Sequence, residues 1–128
     1  MRLLLDTHVL IWAVNDPRQL TRSAANAITA PSNETFVSAA SVWEIAIKAK
    51  TGRLKLAASP RDFVTQAQAQ LSAALLPVLA DHALATYALP AVHRDPFDRL
   101  LVAQALQENL VLVTHDAHMS KYPATVLW

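Results

Sequence analysis

Two short runs, "RLLL" at residues 2–5 and "LVLV" at residues 110–113, carry their apolar residues without polar alternation. A strand with one face in water alternates apolar and polar positions, whereas one covered on both faces does not. The two runs therefore predict central strands of a parallel sheet with helices over both faces. "TFVSA" (35–39) reads as a third strand, "ALLPVL" (74–79) as a weaker fourth and "ATVL" (124–127) as an edge. Helical segments lie between them. "SVWEIAIKAKTG" is predicted to start from Ser41 as N-cap, with Glu44 at the third helical position. Gly52, the sole glycine, stands where a left-handed residue ends that helix. "SPRDFVTQAQAQLSA" opens on Ser59 as cap with Pro60 at the first helical position, and "DPFDRLLVAQALQEN" repeats the recipe with Asp95, Pro96 and Asp98. Strands alternating with helices imply right-handed crossovers and a three-layer α/β/α fold around a central, mostly parallel sheet.

A chain of 128 residues, 53% hydrophobic and without repeat or low-complexity tract, is expected to form one domain over residues 1–128. The absence of cysteine excludes disulfides and thiolate metal sites and suits a reducing compartment. "MRLLLDTHVLIW" begins like a signal peptide, but Asp6 and His8 interrupt it too early, and no apolar run approaches membrane-spanning length. A soluble, cytoplasmic protein with no membrane partner is the expectation. Net charge is only +1, yet its distribution is uneven. Once Asp6, Glu44, Asp95, Asp98 and Asp116 are set apart, the other five acids face eleven Lys and Arg, a net of six positive charges. An acidic pocket in a basic surface suits a polyanion that needs a metal to approach carboxylates.

Those five acids fall at related places. Ligands of open α/β sheets bind outside the carboxyl ends of the strands. Asp6 directly follows the first strand, Asp116 follows "LVLVTH", and Glu44 and Asp98 are each expected in the first turn of a helix. All are predicted at one rim. Each also has a local explanation. Asp95 and Asp116 suit helix caps, and a carboxylate at a third helical position favours the helix dipole, so cap and ligand both stay open for Glu44 and Asp98. Asp6, at the end of a buried strand, would carry a desolvation cost that a purely structural role leaves unexplained. Acids converging on one rim repel one another; Arg94 and Arg99 would offset part of this, and a divalent cation would offset more. Oxygen-only ligands point to Mg²⁺ or Mn²⁺. The five histidines lack paired metal-ligand spacing and read as surface or loop residues, and Trp12 and Trp43 read as core. Lys48, Lys50, Arg53, Lys55 and Arg61 form a basic run, either a solvated helix end or an edge contacting phosphates. Lys48, Lys50, Arg53 and Arg99 are the candidate phosphate contacts.

Taken together, "LLLDTHVLIW", "SAASVWEIAIKAKTGRL", "HRDPFDRLLVAQAL" and "LVTHDAHMSKYP" resemble the PIN-domain ribonucleases, most closely the VapC-type toxins of bacterial toxin–antitoxin pairs. The four blocks come in the family's order and extend from residue 3 to 123. The resemblance implies a PIN-like fold and an endoribonuclease dependent on Mg²⁺ or Mn²⁺, with Asp6, Glu44, Asp98 and Asp116 holding the metal. Asp95 would be a further member or a supporting residue, and Thr114 matches the family's small hydroxyl residue near the metal. Hydrolysis would leave 5′-phosphate and 3′-hydroxyl ends. A homodimer is implied, as is a small cognate antitoxin whose C-terminal segment covers the site and through which the pair meets its own promoter DNA. Structured RNA such as tRNA is a frequent target of the family. His115 before Asp116 and "HMSKYP" after it depart from the pattern without removing an acid. A phosphatase with a nucleophilic aspartate needs a second aspartate where His8 stands, and a receiver domain needs paired acids and a lysine that are not evident. The non-catalytic alternative is an interaction domain whose acids only cap helices; it would bind no divalent ion.

Overall fold

In the computed structural model, which describes all of Met1–Trp128, five strands pair in parallel in the order β3-β2-β1-β4-β5. They are β1 (Arg2–Leu5), β2 (Glu34–Ser38), β3 (Ala73–Leu76), β4 (Val111–Val113) and β5 (Val126–Leu127). The order reverses at β1: the chain steps outward to β2 and β3 on one side, then returns to β4 and β5 on the other. The crevice of such a sheet therefore opens at the carboxyl ends of β1 and β4. Strand β3, the weaker fourth candidate at 74–79, ends earlier than expected, because Pro77 has no N–H to extend the ladder.

The unalternated leucines of β1 account for the layering. Leu3 and Leu5 join a cluster with residues of α1 (Thr7–Asn15), α2 (Arg22–Thr29), α3 (Ala39–Lys50) and α4 (Pro60–Leu71). Leu4 points to the opposite face, among Leu101, Val102 and Ala105 of α6 (Pro96–Gln107) with Leu112, Met119 and Tyr122. The short α5 (Ala80–Ala85) packs on α6. All three leucines have no exposed surface, as the period-two geometry of a doubly covered strand requires. Four helices thus cover one face and two the other.

The helix ends explain both agreements and departures from the sequence reading. Gly52 adopts φ +78° just past α3, with Gly52 N–H donating to Ala49 O at 3.4 Å and Arg53 N–H to Lys48 O at 2.9 Å, the two bonds of a Schellman ending. The start of α3 differs from expectation. Strand β2 runs into the helix without a loop, so Ser38, not Ser41, is the extended N-cap, and its Oγ accepts from Ala40 N–H at 3.0 Å. Glu44 consequently lies in the second helical turn. The α1, α2 and α5 helices were not among the expected helical segments. Nor is Trp43 a core residue, being 63% exposed, while Trp12 is partly buried.

Candidate functional site

Register sets the floor of the crevice. Leu5 pairs with Val37 on one side and Val113 on the other, which brings Asp6 level with Ser38 and Thr114. The ladder extends one step beyond the strand, with Asp6 N–H donating to Val113 O at 3.0 Å. Asp6 then caps α1: its Oδ1 accepts from His8 N–H at 3.1 Å, and its Oδ2 accepts from the buried Thr114 hydroxyl at 2.6 Å. Thr114 Oγ1 in turn accepts from Asp116 N–H at 3.1 Å, so one hydroxyl ties the end of β1 to the loop after β4.

Glu44 reaches this floor from α3. It is buried, and its Oε1 accepts from the Thr7 hydroxyl at 2.7 Å, while that hydroxyl also meets Ser41 Oγ at 2.9 Å. Lys48, one turn on, approaches Glu44 Oε2 at 2.6 Å. From the other face of the sheet, Asp95 caps α6 by accepting from Phe97 N–H at 2.8 Å, and Asp98 stands at the third helical position. Asp116 caps the short 3₁₀ turn Ala117–Lys121: Oδ1 accepts from His118 N–H at 2.9 Å.

The electrostatics single out Asp98. Burial pushes its carboxyl up to about 7, and the like charges of Asp95, Asp6 and Glu44 add to this, with only His93 among its charged neighbours opposing them. Asp116 has the opposite balance. Its partial burial works to raise it, but hydrogen bonds from the His118 backbone and ring, together with His93, hold it below the usual carboxylate range. Asp6 leans on Thr114, Glu44 on Thr7 and Lys48, and Asp116 on two histidines; Asp98 is left without a comparable partner.

The expected acids are thus brought together, with two additions and one loss. His93 enters the site although its spacing carried no signal: Nε2 lies 2.9 Å from Asp116 Oδ2 but out of line for a hydrogen bond, so this buried nitrogen has no hydrogen-bond partner. One ligand atom each from His93, Asp98 and Asp116 lie within 4.8 Å of one another. The sequence did hold a hint, since His93 opens the same "HRDPFD" block as Asp98. Thr7 is the other addition, as the buried donor to Glu44. Arg99 is the loss. Its guanidinium donates to the carbonyls of Pro90 and Thr86, both at 2.9 Å, and of Leu89 at 3.4 Å, so it faces the chain and not a phosphate. Lys48 is engaged by Glu44, while Arg53 and Arg94 line an open groove of about 410 Å³ between α3 and the start of α6. Lys50 lies exposed at the end of α3.

A divalent cation fits this donor set: oxygens of Asp98 and Asp116 and a nitrogen of His93 converge within the span of one ion's ligands, Asp6 and Glu44 add charge beside them, and Asp98 is ionised only against its surroundings. Helix capping does not exclude that role, because a carboxylate oxygen that accepts one hydrogen bond, as in the caps of Asp6, Asp95 and Asp116, keeps a second lone pair.

Fold and site together define a parallel α/β protein with an acidic crevice at its topological switch point. The PIN domain family matches residues 3–124, and the chain belongs to that family. It is 34% identical over 129 residues, 96% of each chain, to Ribonuclease VapC22 of Mycobacterium tuberculosis (strain ATCC 25618 / H37Rv). Among solved structures it resembles a chain of VapBC2 from Rickettsia felis bound to a DNA fragment from their promoter, with a TM-score of 0.73 at 17% identity, covering 99% of this chain and 98% of that one. A toxin-antitoxin complex from Klebsiella pneumoniae contains another neighbour, with a TM-score of 0.65, 21% identity and coverage of 98% and 96%. At these identities the structural likeness establishes the fold.

Proposed function

We propose that this chain is a divalent-metal-dependent endoribonuclease and the toxin of a toxin–antitoxin pair. The observation that carries the reading is the uncompensated Asp98 among Asp6, Glu44 and Asp116 at the switch point, a cluster that needs a cation more than a cap. The likeness to a VapC ribonuclease supports the substrate class.

Asp6, Glu44, Asp98 and Asp116 would hold the ion. When bound, a Mg²⁺ or Mn²⁺ ion neutralises charge on the scissile phosphate and lowers the pKa of an attacking water. The chain's own residues supply the frame. Thr114 fixes Asp6 relative to Asp116, and Thr7 with Lys48 fixes Glu44 in its buried rotamer. Asp95 keeps the first turn of α6 in place, which sets where Asp98 points. Arg53 and Arg94, in the groove beside the acids, and the exposed Lys50 are the cations available to RNA phosphates.

The same groove is where an antitoxin segment would lie, beside the exposed Trp43 and its edge-on partner Phe97. Exposed Leu79, Leu84 and Tyr87, on and around α5, would supply an apolar face for a second copy, making a homodimer. Promoter DNA would be met through the antitoxin. No helix is long and apolar enough to cross a membrane. The substrate of this reading is cytoplasmic RNA, tRNA included.

The test is incubation of purified protein with total RNA in Mn²⁺ or in EDTA, beside Asp98→Asn. The reading expects discrete cleavage in Mn²⁺ only, absent in the variant. Cleavage that ignores EDTA would refute the metal dependence, and no cleavage by the wild type would return the chain to the class of interaction domains.

A further inference from the structure

We infer that His93 is itself a metal ligand, giving the site a mixed nitrogen and oxygen donor set that prefers Mn²⁺ to Mg²⁺. The inference rests on the reading of the acids as a divalent-ion site. Its basis is the placement of one ring. Nε2 of His93 is buried and makes no in-line hydrogen bond; what it faces is the carboxylate edge of the site, where its ligand atom lies within 4.8 Å of those of Asp98 and Asp116. The group nearest it, Asp116 Oδ2 at 2.9 Å, is itself one of the acids expected to hold the ion. Tyr122 supports the residue from behind: the backbone N–H of His93 donates to the Tyr122 hydroxyl at 2.9 Å, and the two rings meet edge to face with centroids 5.9 Å apart. Tyr122 is buried, so the imidazole is positioned before any ligand arrives.

The consequence is chemical. Imidazole nitrogen is a softer donor than carboxylate oxygen and suits transition metals, whereas Mg²⁺ keeps to oxygen ligands and water. Four carboxylates alone would accept either ion. Adding His93 biases the site toward Mn²⁺.

The experiment uses the whole chain and Mn²⁺ alone, without RNA. Mn²⁺ affinity is measured from loss of the free-ion EPR signal, Mg²⁺ affinity by competition, and the ligand type by electron spin echo modulation. The expected result is ¹⁴N modulation in the wild type that changes on ¹⁵N-histidine labelling. His93→Gln should abolish it and weaken Mn²⁺ roughly 10- to 100-fold, while Mg²⁺ changes about threefold or less. His118→Gln should retain it, which separates His93 from the other imidazole touching Asp116. Mn²⁺ bound without nitrogen modulation, or modulation that survives His93→Gln, overturns the assignment and leaves the acidic site standing. Failure of the wild type to bind Mn²⁺ overturns both. Should His93→Gln fail to fold, the isotope comparison in the wild type and in His118→Gln decides: labelled-nitrogen modulation kept in both supports His93, and its loss in His118→Gln overturns the assignment.

Discussion

Asp95 and Asp98 are three residues apart and do different work. Asp95 is exposed and gives one oxygen to Phe97 N–H, a duty serine can perform. Asp98 caps nothing and is held in a charged crowd. Asp95→Ser is therefore expected to retain most cleavage, and Asp98→Ala to lose it, in a single-turnover assay on one RNA. Asp98 also leaves a mark on stability. Its folded value, about 7, lies above its ordinary 3.8, so between those values the metal-free folded chain holds a proton that the unfolded chain has released. That contribution is complete below about pH 4 and is lost as pH rises through about 7. Asp98→Asn, uncharged throughout, should melt at nearly the wild-type temperature near pH 4 and several degrees higher at pH 8 in EDTA. Equal melting at both pH values would mean that Asp98 is not under this strain. Asp6 behaves otherwise, since it accepts from both His8 N–H and Thr114. Asparagine can keep the cap, so Asp6→Asn should cost little stability, whereas Asp6→Ala should cost about 1–3 kcal/mol in denaturant titration. At this scale the aspartates were legible from their places at strand and helix ends. His93 was not, because Tyr122, the residue that fixes it, lies 29 positions further along the chain.

Elements reveal what local signals miss. The stretch "SAASVWE" offers two serines ahead of an apolar run, and capping-box logic favours the second. The strand continues through Ser38, however, and its hydroxyl also meets Gln104 Oε1 of α6 at 2.6 Å. Losing Ser38 removes a cap and a buried tie between helices on opposite faces of the sheet, so Ser38→Ala should destabilise by about 1–3 kcal/mol. Ser41→Ala, which caps nothing, should cost less in the same equilibrium unfolding experiment. A larger loss at Ser41 would restore the expected cap. Gly52 was read correctly because its signal is local: one residue type, one backbone region, two bonds to the preceding turn. Arg99 shows the reverse. Its charge suggested phosphate, but helix α6 turns it toward the Thr86–Pro90 carbonyls, which no spacing rule could reveal.

Across the whole molecule, the unbroken apolar runs of β1 and β4 were enough to announce a doubly covered parallel sheet. The strand order, which is a matter of pairing and not of composition, then decides that the ends of these two strands form the crevice. Acids from β1, α3, α6 and the loop after β4 meet there because helices on both faces begin at that rim. A cation held by these acids in the folded chain alone would raise its stability by linkage. The most direct measurement is a thermal melt of the metal-stripped chain at pH 8 with and without millimolar Mn²⁺, beside Asp98→Asn. The wild type should gain about 5 °C or more from the ion, and the variant little. A wild type indifferent to Mn²⁺, or a variant that gains as much, would contradict a metal centre at this edge of the sheet.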